Sequence, residues 1–280
     1  SPSLVFEPGS EICVANGASI FIHSNIVTFK GSFEDLPVKI TSCNDKSGSL
    51  IFENTNIYIG NLVVDGLISP SIPLRNLYSG LNFVNSKINI NYLSIYNSNS
   101  EDSVNFIDSS VTGGTIKIHD SNSDAIDSDY STLILDRIIC SNIFNDCLDL
   151  SFSNSIVSSI YASSVGDKVI SLGESSTLTL QNLFTESSEM GVVVKDDSKL
   201  FLSKYTYNNT KLPIVAFIKK PEFDFTYSYI KKIIPSIKNN YLISNDSIVK
   251  VNNSLLKPNS NSKTIIKVLY GNEFGVKTIR

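Results

Sequence analysis

The strand pattern of this chain is clearest in the stretch Leu133-Ile134-Leu135-Asp136-Arg137-Ile138-Ile139-Cys140. Apolar side chains occupy its first, third, sixth and eighth positions, so it contains two short alternating segments. A period of two is typical of β-strands that bury one face and expose the other. The same spacing returns elsewhere, with a polar or aromatic residue in some last positions, over Ile57–Val64, Ile88–Ile95, Leu178–Thr185 and Leu200–Tyr207.

A second strand pattern precedes each copy and fixes the period of the repeat. Val104, Ile126, Leu148, Val169 and Gly191 are 22, 22, 21 and 22 residues apart. Ser, Asn, Gly and Asp between the strands indicate turns. No window carries helical i, i+3, i+4, i+7 spacing over three turns. A strand-only repeat of about 22 residues predicts an all-β, right-handed parallel β-helix of about nine or ten coils.

The 280 residues are long enough for one large core, and we predict a single β-helix domain over residues 1–280. Within it, 1–48 forms the N-terminal coils, 49–230 the regular coils and 231–280 the closing segment.

Three local features follow from this register. Leu67–Asn76 contains two prolines and is predicted to be a loop inserted between coils. The weakly periodic stretch after Pro235 is predicted to close the stack. Tyr130 and Phe152 fall at equivalent positions and are predicted to be core aromatics rather than a sugar platform.

Composition excludes several function classes. The net charge is −4 without a basic block, which argues against nucleic-acid binding. No apolar run approaches the roughly 20 residues of a membrane-spanning helix. The sequence has no glycine-rich phosphate loop and no G-x-S-x-G motif, so nucleotide hydrolysis and serine-esterase chemistry have no support.

The four cysteines, Cys13, Cys43, Cys140 and Cys147, show no CxxC spacing, and only two histidines could join them. This argues against a zinc site or a Cys–His nucleophile pair. Cys140 and Cys147 are predicted to be small buried hydrophobes. A Cys13–Cys43 bridge stays open, because separation in sequence does not test it.

Carboxylates repeat with the strands. One predicted column, with one residue heading each coil, contains Asp102, Asp124, Asp146, Asp167 and Glu189. Asp127 and Asp149 form a second, outward-facing row, and Asp129 adds a third carboxylate to its coil. Like charges about 5 Å apart raise one another's pKa unless backbone donors, a bound cation or a neighbouring Lys168 compensates.

Three interpretations of these carboxylates compete. In the first, they are turn-forming residues that bind local backbone. In the second, Asp124 and Asp146 hold Ca²⁺, the one candidate cofactor, although no D-x-D-x-D loop is present. In the third, Asp124, Asp127, Asp146 and Asp149 are acid and base candidates for glycan cleavage. Carboxylates on adjacent coils would lie near the ~5–5.5 Å separation of retaining glycosidases, and diagonal pairs near the ~6.5–9.5 Å of inverting ones.

Several motifs resemble the C-terminal region of CotH-type spore-coat kinase-like proteins. They are Asp124-Ala125-Ile126-Asp127, Asn145-Asp146-Cys147-Leu148-Asp149, Gly166-Asp167-Lys168-Val169-Ile170-Ser171-Leu172-Gly173-Glu174, the closing Lys219-Lys220-Pro221-Glu222-Phe223 and Tyr270-Gly271-Asn272-Glu273-Phe274-Gly275, and the opening Phe6-Glu7-Pro8-Gly9-Ser10-Glu11-Ile12. The resemblance spans nearly the whole chain.

The resemblance implies a right-handed β-helix attached to a kinase-like domain in larger, generally exported proteins. The kinase motifs are absent from these residues, so no kinase activity is carried over, and the family supplies no catalytic residues for the β-helix. The sequence departs from the family pattern where the glycine after the aspartate is Ala125 or Cys147.

We therefore expect a secreted or cell-surface β-helix module that binds glycan or cell-envelope material. An upstream domain of a longer polypeptide is a further expected partner. One alternative is a polysaccharide hydrolase or lyase that uses the same carboxylates, and another is a ligand-free structural spacer. The expected binding residues are Asp102, Asp124, Asp129, Asp146, Asp167 and Glu189.

Overall fold

The chain is an all-β, right-handed parallel β-helix of about ten turns, as the repeat predicts. The computed structural model describes residues 3–15, 17–33, 36–43, 48–69, 77–237 and 240–271. The chain divides into a first unit, residues 1–139, and a second unit, residues 140–280. Most of the predicted inserted loop (70–76) and of the motif Tyr270–Gly275 lies outside the described residues.

Parallel pairing of successive coils builds the first unit. One sheet runs β1-β4-β7-β9-β11, with β2 and β5 joined to it through β7, and the other runs β3-β6-β8-β10-β12. The strands are β1 (Ser3–Phe6), β2 (Glu11–Val14), β3 (Ser19–Ile22), β4 (Ile26–Phe29), β5 (Val38–Ser42), β6 (Ser49–Glu53), β7 (Asn56–Asp65), β8 (Leu81–Val84), β9 (Lys87–Ser98), β10 (Asp102–Ile107), β11 (Ser110–Ser121) and β12 (Asp124–Asp129). Strand β13 (Thr132–Ile143) contains the boundary between the units.

The second unit repeats this arrangement, with sheets β15-β17-β19-β21-β23-β24 and β14-β16-β18-β20-β22. Its elements are β14 (Leu148–Ser151), β15 (Asn154–Val165), β16 (Lys168–Gly173), β17 (Thr177–Glu186), β18 (Met190–Lys195), β19 (Lys199–Asn208), β20 (Leu212–Phe217), β21 (Thr226–Ile234), β22 (Tyr241–Ile243), β23 (Ser247–Val251), β24 (Ser254–Leu255) and one helix, α1 (Ser262–Leu269). That helix is eight residues long, and no helix among the described residues is long and apolar enough to cross a membrane.

Apolar side chains fill the interior in rows, because in-register parallel pairing places equivalent residues of neighbouring coils side by side. In the first unit, Ile57 pairs with Ile88 and Leu62 with Leu93. Phe83 is fully buried between Phe52 and Phe106, with ring centroids 5.2 and 5.4 Å away and nearly parallel rings. These rows explain why the sequence repeats.

Residues with positive φ turn the chain at one corner of each coil. Their φ angles lie between 45° and 53°, in the left-handed region, at Asn54, Asn85, Asp108 and Tyr130 in the first unit and Phe152, Glu174 and Asp196 in the second. The prediction that Tyr130 and Phe152 are core aromatics is wrong. They are 63% and 42% exposed, because they sit on the outside of this corner.

A buried hydroxyl follows each corner and forms a ladder along the solenoid. In the first unit, the backbone N–H groups of Thr55, Ser86 and Ser109 donate to the next coil's hydroxyl, that of Ser86, Ser109 and Ser131, at 3.1, 3.0 and 2.9 Å. In the second unit, Ser153 and Ser176 continue the ladder at 3.1 Å. Much of the serine content is therefore structural.

The register of the second unit differs by one residue from the predicted alignment. Val104 pairs with Ile126 as predicted, but Leu148 pairs with Ile170 rather than with Val169. Ile170 in turn pairs with Val192, which agrees with the predicted alignment of Val169 with Gly191. Neighbouring apolar residues such as Val169 and Ile170 made the two registers indistinguishable from the pattern alone.

Helix α1 packs on the outer side of strands β18 and β20. Its Ile265 and Leu269 contact a cluster that includes Val193, Val215 and Phe217. Both faces of these strands are thus buried, which explains their runs of consecutive apolar residues. The stretch after Pro235 adds one further turn through β22 and β23, and its helix covers a lateral face.

Candidate functional site

The first-unit part of the predicted acidic column is a pair of neighbouring carboxylates. Asp102 pairs with Asp124 across β10 and β12. The Asp102 side chain is buried, and its Oδ2 accepts a hydrogen bond from the Ser79 hydroxyl at 2.5 Å. Asp124 is half-buried. Asp102 therefore behaves as a structural acceptor rather than as a surface ligand.

The second carboxylate row of this unit is partly exposed. Asp127 pairs with Asn105, whose Nδ2 donates to Asp127 Oδ2 at 3.1 Å, and the other Asp127 oxygen accepts from Ser128 N at 2.9 Å. Asp129 pairs with Ile107 and is also half-buried. These bonds agree with the turn-forming interpretation, in which aspartates bind local polar groups.

The second-unit part of the column contains a buried lysine that breaks the row of carboxylates. Because Leu148 pairs with Ile170, Asp146 stands opposite Lys168, and Asp167 lies one position earlier. Lys168 N donates to Asp146 Oδ1 at 2.9 Å. Glu189 aligns with Asp167 by register but forms an ion pair with the exposed Lys211 at 2.6 Å. The predicted column is thus wrong by one residue between Asp146 and Asp167, whereas the predicted alignment of Asp167 with Glu189 agrees with the register.

Asp146, Asp167 and Lys168 form a buried charge triad. Lys168 Nζ lies 3.3 and 3.4 Å from the two carboxyl oxygens of Asp146 and is hydrogen-bonded to Asp167 Oδ2. All three residues are at most 5% exposed. Burial raises the pKa of Asp146 to about 7, although Lys168 opposes the shift. Burial also raises the pKa of Asp167.

The same triad holds Lys168 as an ammonium ion. Burial alone would lower its pKa, but the two carboxylates raise it well above the usual range. Two carboxyl groups share this one ammonium, and burial raises the pKa of both. The Asp146 oxygens face the ammonium group of Lys168.

Asp149 lies beside a second buried lysine. It pairs with Ser171, whose hydroxyl accepts from Lys195 Nζ at 2.9 Å. Burial lowers and the neighbouring Asp149 raises the pKa of Lys195, with a net upward shift. Lys195 is therefore an ammonium ion and does not supply the neutral amine that would activate Ser171 as a nucleophile. Among the described residues, no group of three or more His, Cys, Asp or Glu side chains is placed to hold a metal ion.

A separate polar depression lies on the outer face of the first unit. Its volume is about 240 Å³, and two in-register rows across β7, β9 and β11 line it. The rows are Tyr58, Asn89 and Thr112, and Asn56, Lys87 and Ser110.

Each of these side chains points outward because its neighbours in the strand are interior residues. Ile57 and Ile59 flank Tyr58, and Ile88 and Ile90 flank Asn89; all four are buried. Tyr58 is 53% exposed, and Asn89 Nδ2 donates to Thr112 Oγ1 at 3.2 Å. The depression thus presents an aromatic face, amides, hydroxyls and one ammonium. The alternating sequence pattern predicts that these side chains face outward. They form a site only because three coils align and bring them together.

Both pairs of cysteines form disulfides. Cys13 bonds Cys43 and Cys140 bonds Cys147, with Cα–Cα distances of 4.8 and 6.0 Å. Cys140 and Cys147 are buried, as predicted, but they are bonded to each other rather than free. The coil returns on itself between them and brings together two residues that are seven apart in sequence.

Comparison of the chain with family models, curated proteins and solved structures gives no match.

Proposed function

We propose that this protein is a secreted or cell-surface β-helix module that binds glycan or cell-envelope polysaccharide without cleaving it. The observation that carries the proposal is the depression formed by Tyr58, Asn89, Thr112 and Lys87. An exposed aromatic ring offers an apolar face for a sugar ring, while amides and hydroxyls pair with its hydroxyl groups. The acidic residues first expected to bind contribute less, because Asp102, Asp146 and Asp167 are buried within internal hydrogen bonds.

The shape of the solenoid supports a polymer as ligand. Coils rise by about 4.8 Å, so in-register outward side chains form parallel rows with a regular spacing. An extended chain of similar units can contact successive coils with equivalent side chains. The rows of Tyr58 and Asn56 each continue over three coils.

The test is a panel of polysaccharides assayed both for binding and for new reducing or unsaturated ends. We expect binding without product release. Tyr58→Ala should weaken binding at least tenfold, whereas Tyr161→Ala should leave it unchanged. Tyr161 is a matched control, since it is also an outward tyrosine on a strand of the long sheet and is 44% exposed. Equal affinity for both variants would contradict the proposed site, and no binding across the panel would favour the structural-spacer alternative.

The pKa of Asp146 specifically favours the second candidate, a polysaccharide hydrolase or lyase. A carboxyl group that titrates near 7 is suited to general-acid catalysis, and Asp149 is a second carboxylate close enough to raise that pKa. Access opposes it, because the Asp146 side chain is only 4% exposed. Product release that disappears in both Asp146→Asn and Asp149→Asn would replace the binding proposal with this one.

Two disulfides support an extracellular or cell-surface location, since such bonds persist in oxidising compartments. Alkylation of the protein in its native source, before and after reduction, tests this. Four cysteines that react only after reduction are expected, and free thiols before reduction would contradict it. Kinship with the β-helix region of CotH-type proteins, and an upstream domain, belong to the same proposal.

A further inference from the structure

The buried triad places an amine against a carboxyl group in a site that excludes water. The side chains of Lys168 and Asp146 are 7% and 4% exposed, and that of Asp167 is 6% exposed. Lys168 Nζ is nearly equidistant from both Asp146 oxygens, at 3.3 and 3.4 Å, so it lies against the whole carboxyl group rather than against one oxygen.

The two carboxyl groups differ in what they can do with this amine. Asp146 lies 22 residues before Lys168, on the preceding coil, so a bond between their side chains would join two coils. Asp167 is the adjacent residue, and an amide to it would close a small ring through the backbone. Asp167 instead accepts a hydrogen bond from the ammonium, and its other oxygen is buried without a hydrogen-bond partner among the described residues. It is therefore placed to accept a proton.

We propose that Lys168 and Asp146 form an intramolecular isopeptide bond, with Asp167 as the proton acceptor. The Lys168 ammonium passes one proton to the Asp167 carboxylate and becomes a neutral amine. Nζ attacks the Cγ atom of the protonated Asp146 carboxyl group, forming the C–N bond. The tetrahedral intermediate then breaks its C–OH bond, with proton relay through Asp167. The products are a neutral amide, one water molecule and a protonated Asp167, so atoms and charge balance.

Burial and proximity support this condensation. Burial raises the pKa of Asp146 to about 7, so the protonated carboxyl group, from which hydroxide can leave as water, is populated near neutral pH. The two carboxylates favour the ammonium form of Lys168, so the neutral amine is a minor species that forms through proton transfer to the hydrogen-bonded Asp167. Because Nζ is held within 3.4 Å of both Asp146 oxygens, the reaction does not have to bring the two groups together from solution.

The experiment is mass spectrometry of the full-length chain, reduced and alkylated so that the disulfides do not affect the mass. We expect an intact mass that is lower than the sequence mass by one water molecule. Trypsin should fail to cleave after Lys168, because its amine is acylated. A second protease that cuts between Asp146 and Lys168 should release a branched peptide in which the two residues are joined.

Variants separate the roles of the three side chains. Lys168→Arg and Asp146→Ala should restore the full mass, and Asp167→Asn should slow or abolish the loss of water. Lys195→Met is the matched control, since Lys195 is equally buried but is bonded to Ser171, and it should keep the cross-link.

The peptide map of the unmutated chain decides the matter even if a variant fails to fold. A full intact mass, or a water loss confined to a linear peptide as in a succinimide, would overturn the proposal. A confirmed link would also exclude Asp146 as a titratable acid, and with it the hydrolase alternative built on that residue.

Discussion

The serine ladder allows a sharp prediction about why this chain is so rich in serine. The Ser109 hydroxyl accepts a hydrogen bond from Ser86 N at 3.0 Å and donates to the carbonyl oxygen of Ile107 at 2.8 Å. Ser109→Ala removes both bonds and leaves the buried N–H of Ser86 without a partner. A buried orphaned donor costs about 1–3 kcal/mol, so we expect a loss of about 2 kcal/mol in the free energy of unfolding.

The matched control is Ser110→Ala. Ser110 is the next residue, is exposed, and carries the same deletion of one hydroxyl. Its effect should stay within about 0.5 kcal/mol, as is usual for surface substitutions.

The measurement combines urea denaturation with amide hydrogen exchange. Because solenoids need not unfold in a single step, the exchange rate of the Ser86 amide provides the local measurement. We expect this amide to lose protection in Ser109→Ala and to keep it in Ser110→Ala. Equal stability and equal Ser86 protection in the two variants would refute the view that the ladder contributes to stability.

Three further outcomes follow from packing and charge. Phe83→Ala should cost about 3–5 kcal/mol in urea denaturation, because it empties the middle of an aromatic stack, and Phe83→Leu should cost less; similar losses would contradict the stacking role. Glu174→Gln should destabilise the protein at pH 7. Burial raises the pKa of Glu174, but hydrogen bonds from Lys220 and Ser151 outweigh it and lower the pKa below 4.5. The ionised carboxylate therefore stabilises the fold above pH 4.5, and the difference from wild type should shrink as the pH falls below that value; a pH-independent difference would exclude this ion pair as the cause. Ile265→Asp should place an unpaired carboxylate in the cluster under α1, so limited proteolysis should cut α1 faster; unchanged cleavage would show that the contact does not hold the helix.

The strand pattern alone was sufficient for the fold class. Residues such as Leu133, Leu135 and Ile138 are expected to face the interior, because successive side chains of a strand point to opposite faces and these residues share the apolar face. A constant period then makes each coil the neighbour of the next. The register within one residue was not determined by the pattern, since Val169 and Ile170 are both apolar and both fit the interior.

The surroundings of Asp146 depend on this one-residue difference in strand register. A shift of one position places Lys168, rather than Asp167, opposite Asp146, and changes a row of like charges into a buried, compensated triad. The burial of corner residues could not be predicted either. A residue in the left-handed backbone region, such as Tyr130, interrupts the inward–outward alternation of the strand, and its side chain points to solvent. The repeat and the outward rows can therefore be predicted from the strand pattern. Which side chains of different coils meet depends on the folded chain, because contacts between residues 22 apart require exact registration and depend on the burial that surrounds them.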